Sequence, residues 1–303
     1  FLRSSVSGGI LIIRDSPLFI GLNPKSACKI PFSILDELKW DFGLLRLGLR
    51  YDYQRLSTQR ERDEVQLNSL NPSLGFTYTQ LGNNVIFVSY SSSFETPTLN
   101  ELSANPSGNV GFNPNLSPSK AHNFELGWRY TTPHNTFNAI LYAINTQNEI
   151  LPYELADFPD RDFYRNTGST TRRGIELYWE HQKGSWEWMA SYNYASLKFD
   201  NYVLGDKNLS GNQLPGVPEQ QFTASLEYNF LGGWGAALQS QYSGNLYADD
   251  ANQTRVEDYF LVNFRFWKSL EKISFFCGIN NLLDKTYFDN IRINAYGKRY
   301  YEP

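Results

Sequence analysis

The sequence predicts an all-β protein, an antiparallel transmembrane β-barrel present in part, with about fourteen strands. Three observations predict it. Apolar and polar residues alternate with period two along most of the 303 residues. The connections between these runs are short and long by turns. Every tryptophan falls close to a short connection.

The alternation is plainest from Ala121 to Thr146. Phe124, Leu126, Trp128 and Tyr130 share one face of an extended run, and Asn123, Glu125, Gly127 and Arg129 share the other. After the turn TTPHN, Phe137, Ala139, Leu141 and Ala143 oppose Asn138, Ile140 and Tyr142. Two such runs across a Pro/Asn turn define an antiparallel hairpin.

The same unit recurs in both directions. Residues 1–30 are the least regular, with SSVSGGILII as one candidate strand. From Pro31 a strand runs to Trp40, turns at DFG and returns to Tyr53. A loop, QRLSTQRERDEVQLN, precedes a strand through Leu74, Phe76 and Tyr78, and QLGNN turns into NVIFVSYSSSF. Long connections are expected at SFETPTLNELSANPSGNVGFNPNLSPSK, from Gln147 to Thr171, from Lys198 to Pro218 and from Gly244 to Arg255. Short ones are expected at QKG, LGG and KSLE. A propeller would repeat every 40–50 residues or so without alternating turn lengths.

Composition agrees. The chain holds 20 Tyr, 21 Phe and 7 Trp, residues that favour a pleated, half-buried surface. Its mean hydropathy of −0.46 looks polar, as a barrel must when every second residue faces the interior. No apolar run reaches the roughly 18 residues of a transmembrane helix. A net charge of −4 with scattered Lys and Arg argues against a nucleic-acid partner. Cys28 and Cys277 form no framework, and Cys277, beside Phe275 and Phe276, reads as a small apolar strand residue.

Trp40, Trp128, Trp179, Trp186, Trp188, Trp234 and Trp267 are expected to form an interfacial girdle at the short-turn rim, because indole prefers the membrane–water boundary. On the interior face, Arg46, Arg50, Glu125, Arg129, Glu176, Glu180, Glu227 and Arg265 alternate with apolar residues, which suits a wide barrel holding water or a plug.

Chemistry-bearing motifs are sparse. His122, His134 and His181 lack metal-ligand spacing, and no nucleophile elbow, P-loop or dinucleotide fingerprint occurs. Ser191 and His181 fall on neighbouring strands near opposite ends, so no hydrolase is expected. Neither a cofactor nor a metal site is expected. The RERDE run (60–64) reads as a solvated loop face. The one segment suited to a ligand is PYELADFPDRDFYRN, where Tyr153, Arg161, Tyr164 and Arg165, with Phe158, combine aromatic faces and guanidinium donors. That pairing suits planar, anionic or catecholate-type ligands.

Six segments carry a resemblance: ETPTLNEL (95–102), FNPNLSPSKAHNFELGWRY (112–130), NTGSTTRRGIELYWE (166–180), LPGVPEQQFTASLEY (214–228), INNLLDKTYFDN (279–290) and GKRYYEP (297–303). In their order and spacing, from Asp36 to Pro303, they resemble TonB-dependent outer-membrane receptors. The resemblance implies a 22-stranded barrel occluded by a plug. It also implies energised uptake of a scarce nutrient, a ferric siderophore or similar metal chelate, with the TonB energy-coupling protein and outer-membrane lipid as partners. The location implied is the outer membrane of a Gram-negative cell. Residues 31–303 would be the barrel domain, about the eighth to twenty-first strands. Residues 1–30 would be a poorly matching segment or first strand, with the plug, the coupling box and the last strand absent from this sequence. The alternative is a passive porin or adhesion barrel without a plug.

Overall fold

Period-two alternation becomes one continuous antiparallel ladder. The computed structural model describes residues 11–13, 25–58, 64–108, 111–155, 158–166, 168–204, 206–288, 290–293 and 299–302. β1 (Leu11–Ile13) pairs with β2 (Lys25–Trp40), which turns into β3 (Gly43–Thr58); β4 (Glu64–Leu81) turns into β5 (Asn84–Glu95). A single helical turn, α1 (Leu99–Ser103), precedes β6 (Ser119–Thr131) and β7 (Asn135–Gln147). The hairpin β8 (Ile150–Leu155) and β9 (Phe158–Asn166) stands between them and β10 (Ser169–Lys183) with β11 (Trp186–Asn201). A ribbon of β12 (Val203–Leu204) and β13 (Lys207–Asn208) leads to β14 (Gln220–Asn229) and β15 (Trp234–Ser243). A second ribbon, β16 (Leu246–Tyr247) and β17 (Arg255–Val256), leads to β18 (Tyr259–Ser269) and β19 (Ser274–Ile279). Last come β20 (Asn290–Ile293) and β21 (Arg299–Glu302).

Among the described residues the main sheet has 13 strands, in the order β1-β2-β3-β4-β5-β6-β7-β10-β11-β14-β15-β18-β19. The last two strands, β20 and β21, pair with each other apart from it. Between residues 30 and 31 the β2 ladder is unbroken. No helix of the described residues is long and apolar enough to cross a membrane, which leaves crossing by strands open.

Register fixes two faces. Ile34, Leu49, Val88, Leu126, Leu141, Leu177, Leu226, Leu238 and Phe264 fall on one, and most of these side chains are exposed. A soluble sheet would cover such a surface; lipid is the solvent it suits. The eight charged residues expected inside all fall on the opposite face, and most are tied to the wall. Arg46 pairs with Glu37 at 2.7 Å and Arg50 with Asp52 at 2.8 Å. Arg129 donates to Asn138, and Tyr178 donates to Glu180, each at 2.8 Å.

All short turns lie at one end. There Trp179 stacks on Phe137 (5.4 Å) and meets Trp188 (5.4 Å), Trp186 meets Tyr228 (4.5 Å), and Trp234 stacks on Phe266 (5.2 Å). Trp267 corrects the girdle expectation. It lies at the same rim but on the polar face, because it pairs with Gly235 and its indole covers that residue. Phe87 covers Gly127 in the same way.

Three further expectations change. The loop expected at 54–68 is mostly ladder, since Gln54 to Ser57 pair with Glu64 to Leu67. β3 and β4, at 16 and 18 residues, outrun the roughly 9–11 that span a bilayer. Beyond that band the outer face no longer needs to be apolar, and the alternation reverses: Leu56, Val65 and Leu67 point inward while Arg55, Ser57, Glu64 and Gln66 point outward. Of the RERDE run, residues 60–63 lie outside the described residues, and Glu64 accepts from Arg55 within the ladder. Ser191 and His181 are near in register but on opposite faces, not at opposite ends.

A Cβ at Gly127 would come within 2.0 Å of the Phe87 ring. Gly127→Ala therefore displaces that ring and destabilises the folded barrel by about 1–3 kcal/mol. The shift of the urea midpoint checks this; an unchanged midpoint refutes the packing.

Candidate functional site: a knitted loop cap over the polar mouth

The long connections carry the buried core. Leu102 of α1, Phe112 and Leu116 pack with Leu56 of β3, joined by Val65, Ile150 and Tyr164. Since Leu56 and Val65 belong to the polar face, residues 96–108 and 111–118 fold inward over it. A second cluster joins Phe199, Tyr202 and Leu209 with Leu151, Leu204, Leu214 and Ala251. Thr98 starts α1 through a reciprocal cap with Glu101, which fixes the entry of that segment.

Polar side chains then tie each connection to the next. Asn166 Nδ2 donates to the Ser117 and Asn148 carbonyls at 2.8 Å, and its Oδ1 accepts from Ser117 N at 2.7 Å. Arg165 Nη2 donates to the Val203 carbonyl at 2.6 Å, linking β9 to the 202–219 connection. Gln213 N donates to Asn252 Oδ1 (2.7 Å) and Asn252 Nδ2 returns to the Gln213 carbonyl (2.9 Å), linking 202–219 to 244–258. Tyr202, 1 % exposed, donates its hydroxyl to Asp250 at 3.0 Å. Burial first, then the neighbouring Asp250 carboxylate, pushes the Tyr202 phenol up to about 12. Burial likewise raises Asp250 above the usual carboxylate range.

The segment singled out in the sequence is the β8/β9 hairpin, not a plain loop. It brings two of the four expected residues together: the Arg165 guanidinium lies 5.0 Å over the Tyr153 ring. Arg161 lies on its own side, exposed, 5.0 Å over Phe163 and 6.0 Å over Phe158. Tyr164 points into the first cluster instead, where burial, then Asp162, raises its phenol above the ordinary range. Arg165 is half-buried, and its Nε has no partner among the described residues.

Below the cap is a polar cavity of about 490 Å³ that includes Glu95, Glu101, Thr146, Glu149 and Arg172. Arg172 spans Glu149 and Thr146 there, both at 3.0 Å. The sequence reading missed these residues; the inward phase of Arg172 in TTRRG was the available signal. Deeper in the polar face, Arg129, Glu176, Tyr178, Asn193 and Gln241 line a groove of about 400 Å³. Each histidine contacts a neighbour in the wall or turn: His122 the Tyr90 hydroxyl, His134 the Gln182 carbonyl and His181 Asn135. No group of three or more His, Cys, Asp or Glu among the described residues is placed to hold a metal ion. Cys277 sits exposed on the apolar face, and the Cys28 side chain lies outside the described residues.

A wide antiparallel wall, apolar outside and charged inside, with short turns at one end and a cap at the other, defines an outer-membrane barrel. Residues 32–282 match the family described as "TonB dependent receptor-like, beta-barrel", and the chain belongs to that family of outer-membrane receptors, which are not enzymes. It is 26 % identical over 285 residues to the ferrichrome outer membrane transporter/phage receptor of Escherichia coli K12, covering 87 % of this chain and 35 % of that protein. It is 27 % identical to the ferrioxamine receptor of Yersinia enterocolitica, covering 83 % of this chain and 35 % of that one. The chain thus spans about a third of these relatives. The crystal structure of the siderophore receptor PiuA from Acinetobacter baumannii shares the fold, with a TM-score of 0.71, 24 % identity, and coverage of 88 % of this chain and 40 % of that one.

A phenol whose value is raised in the folded state holds its proton longer there. The stability it lends the cap is present below pH 10 and is lost as the pH rises through about 12. In a tyrosinate absorbance titration, the difference between the native protein and Tyr202→Phe should titrate near 12. A difference centred at 10 would contradict the buried Tyr202–Asp250 contact.

Proposed function

We propose that this chain forms the wall and outer loops of an energised outer-membrane receptor that takes up a scarce nutrient as a metal chelate, a ferric siderophore foremost. TonB would supply the energy in the complete receptor, and the short turns would face the periplasm. The observation that carries this reading is the exposed Arg161 held over Phe158 and Phe163 at the outer end of the barrel wall. The guanidinium offers charge-assisted hydrogen bonds to an anionic chelate, and the exposed Phe158 ring offers a stacking surface beside it, with Phe163 buried beneath as support. The names of the relatives, ferrichrome transporter and ferrioxamine receptor, support the same ligand class. They do not favour the passive porin or adhesion alternative. Arg165 and Tyr153 serve mainly to hold β9 against the 202–219 connection, and Tyr164 anchors the hairpin to the core of the cap.

The test uses the receptor expressed from its complete coding sequence, with ferrichrome and ferrioxamine as probes. Arg161→Ala should weaken binding of the transported chelate about tenfold, the loss of one hydrogen bond to a charged group, with barrel assembly unchanged. Arg165→Ala should instead raise proteolytic nicking between residues 148 and 219. Unaltered affinity in Arg161→Ala would sink the ligand assignment.

A further inference from the structure

A depression on the apolar face plays no part in the transport reading. Its origin is a row of small residues between rows of large ones. Ala190, Ala224 and Ser240 are the small residues, aligned across β11, β14 and β15, and Trp179 of β10 walls the row at one end. On the long-loop side the next outward row is Leu177, Tyr192, Phe222 and Tyr242; on the short-turn side it is His181, Trp188, Leu226 and Leu238. The small row leaves a hollow of about 260 Å³. Trp188 and Leu226 also line a second hollow, of about 420 Å³, which reaches His181, Lys183 and Trp186 at the turn. The Lys183–Trp186 pair and the Trp179–Ala190 pair are four residues apart along the strands, so the combined depression runs ~13 Å from the rim into the bilayer.

Charge is sorted between the faces at this level. Glu180, Glu187 and Glu227 fall on the polar face by register, whereas His181 and Lys183 fall on the apolar one. Lys183 is exposed and has no acidic partner among the described residues. The His181 ring is fixed, its Nδ1 2.8 Å from Asn135 Oδ1 and its centroid 5.1 Å from that of the tilted Trp188 ring. The mouth of the depression is therefore cationic and rigid, and its depth is apolar and aromatic.

We propose that this depression binds one anionic phospholipid of the leaflet at the short-turn rim. The phosphate sits against Lys183, beside His181 and the Trp186 indole. One acyl chain runs past Trp188 and Leu226 into the hollow over Ala190 and Ala224. The site rests on the wall crossing the outer membrane and is independent of which nutrient the receptor carries. A cation at the interface with an apolar channel beneath it selects a lipid by head-group charge and holds it by its chain.

The complete receptor, reconstituted in bilayers, would be titrated with brominated phosphatidylglycerol or brominated phosphatidylethanolamine, with quenching of indole fluorescence as the readout. The anionic lipid should associate about fivefold more strongly, the preference one lysine confers near the membrane surface. Lys183→Gln should bring that ratio close to one. Lys268→Gln, which removes an outward lysine on β18, should leave it intact. Ala224→Leu, which fills the hollow, should weaken quenching by both lipids while preserving heat-modifiable gel mobility, the sign of a folded barrel. Equal quenching by the two lipids in the native receptor overturns the proposal, as does a preference that survives Lys183→Gln or disappears equally in Lys268→Gln. Quenching by neither lipid overturns the membrane placement with it. Chelate binding does not enter the readout, so failure here leaves the transport reading untouched.

Discussion

Backbone hydrogen bonding in a medium without water is the constraint on which this structure depends. Lipid offers an exposed amide no partner, so each spanning segment must satisfy its N–H and C=O groups on its neighbours. The ladders from β2 to β19, interrupted by a register shift in β4/β5 and another in β10/β11, are that solution. Once strands are committed to pairing on both sides, side chains can point only outward or inward, and the two environments sort them. Leu126 and Leu141 meet on the lipid side, while Glu125 and Tyr142 meet on the other. Where the interior demands a large ring, a facing glycine makes room, as at Phe87 with Gly127 and Trp267 with Gly235.

A wall of this kind has no core of its own, since one face meets lipid and the other a wide lumen. Burial is therefore displaced to the outer connections. Leu102, Phe163 and Tyr202, among the most completely buried side chains, all lie there. A loop normally stays on the surface because its backbone polar groups cannot be paired inside. Here asparagine side chains supply the missing partners: Asn113, Asn166, Asn212 and Asn252 each bond the backbone of a different connection. The outer end is thus a packed layer resting on the rim, and it presents Arg161 on a rigid support.

The wall was legible in the sequence because period-two alternation is imposed directly by lipid on one side and water on the other. Outside the bilayer that imposition stops, and so did legibility. The Gln54–Leu67 ladder continues with its alternation reversed, Leu56, Val65 and Leu67 turning inward under the cap and Arg55, Ser57, Glu64 and Gln66 outward. This change of phase, with the charged RERDE run beside it, reads as a loop. The β8/β9 hairpin, built from PYELADFPDRDFYRN, alternates too weakly to announce itself. Trp267 was placed correctly along the strand and on the wrong face, because its rim position follows from turn spacing and its direction from the Gly235 opposite. In the β8/β9 hairpin, composition singles out Arg161 and Arg165 alike and does not reveal that one is exposed and the other half-buried. Only the Val203 carbonyl separates them, 38 residues further along the chain.

Asn166 holds two connections with one carboxamide, and Arg165 beside it holds a third. The outer connections consequently behave as one inherited unit. A chimera that exchanges residues 148–168 alone with those of a relative would sever bonds to 96–118 and 202–219 at once. Recombination breakpoints, natural or engineered, belong instead in the β2–β3 turn and beyond β18, so that the outer connections travel with Leu56 and Val65 packed against them.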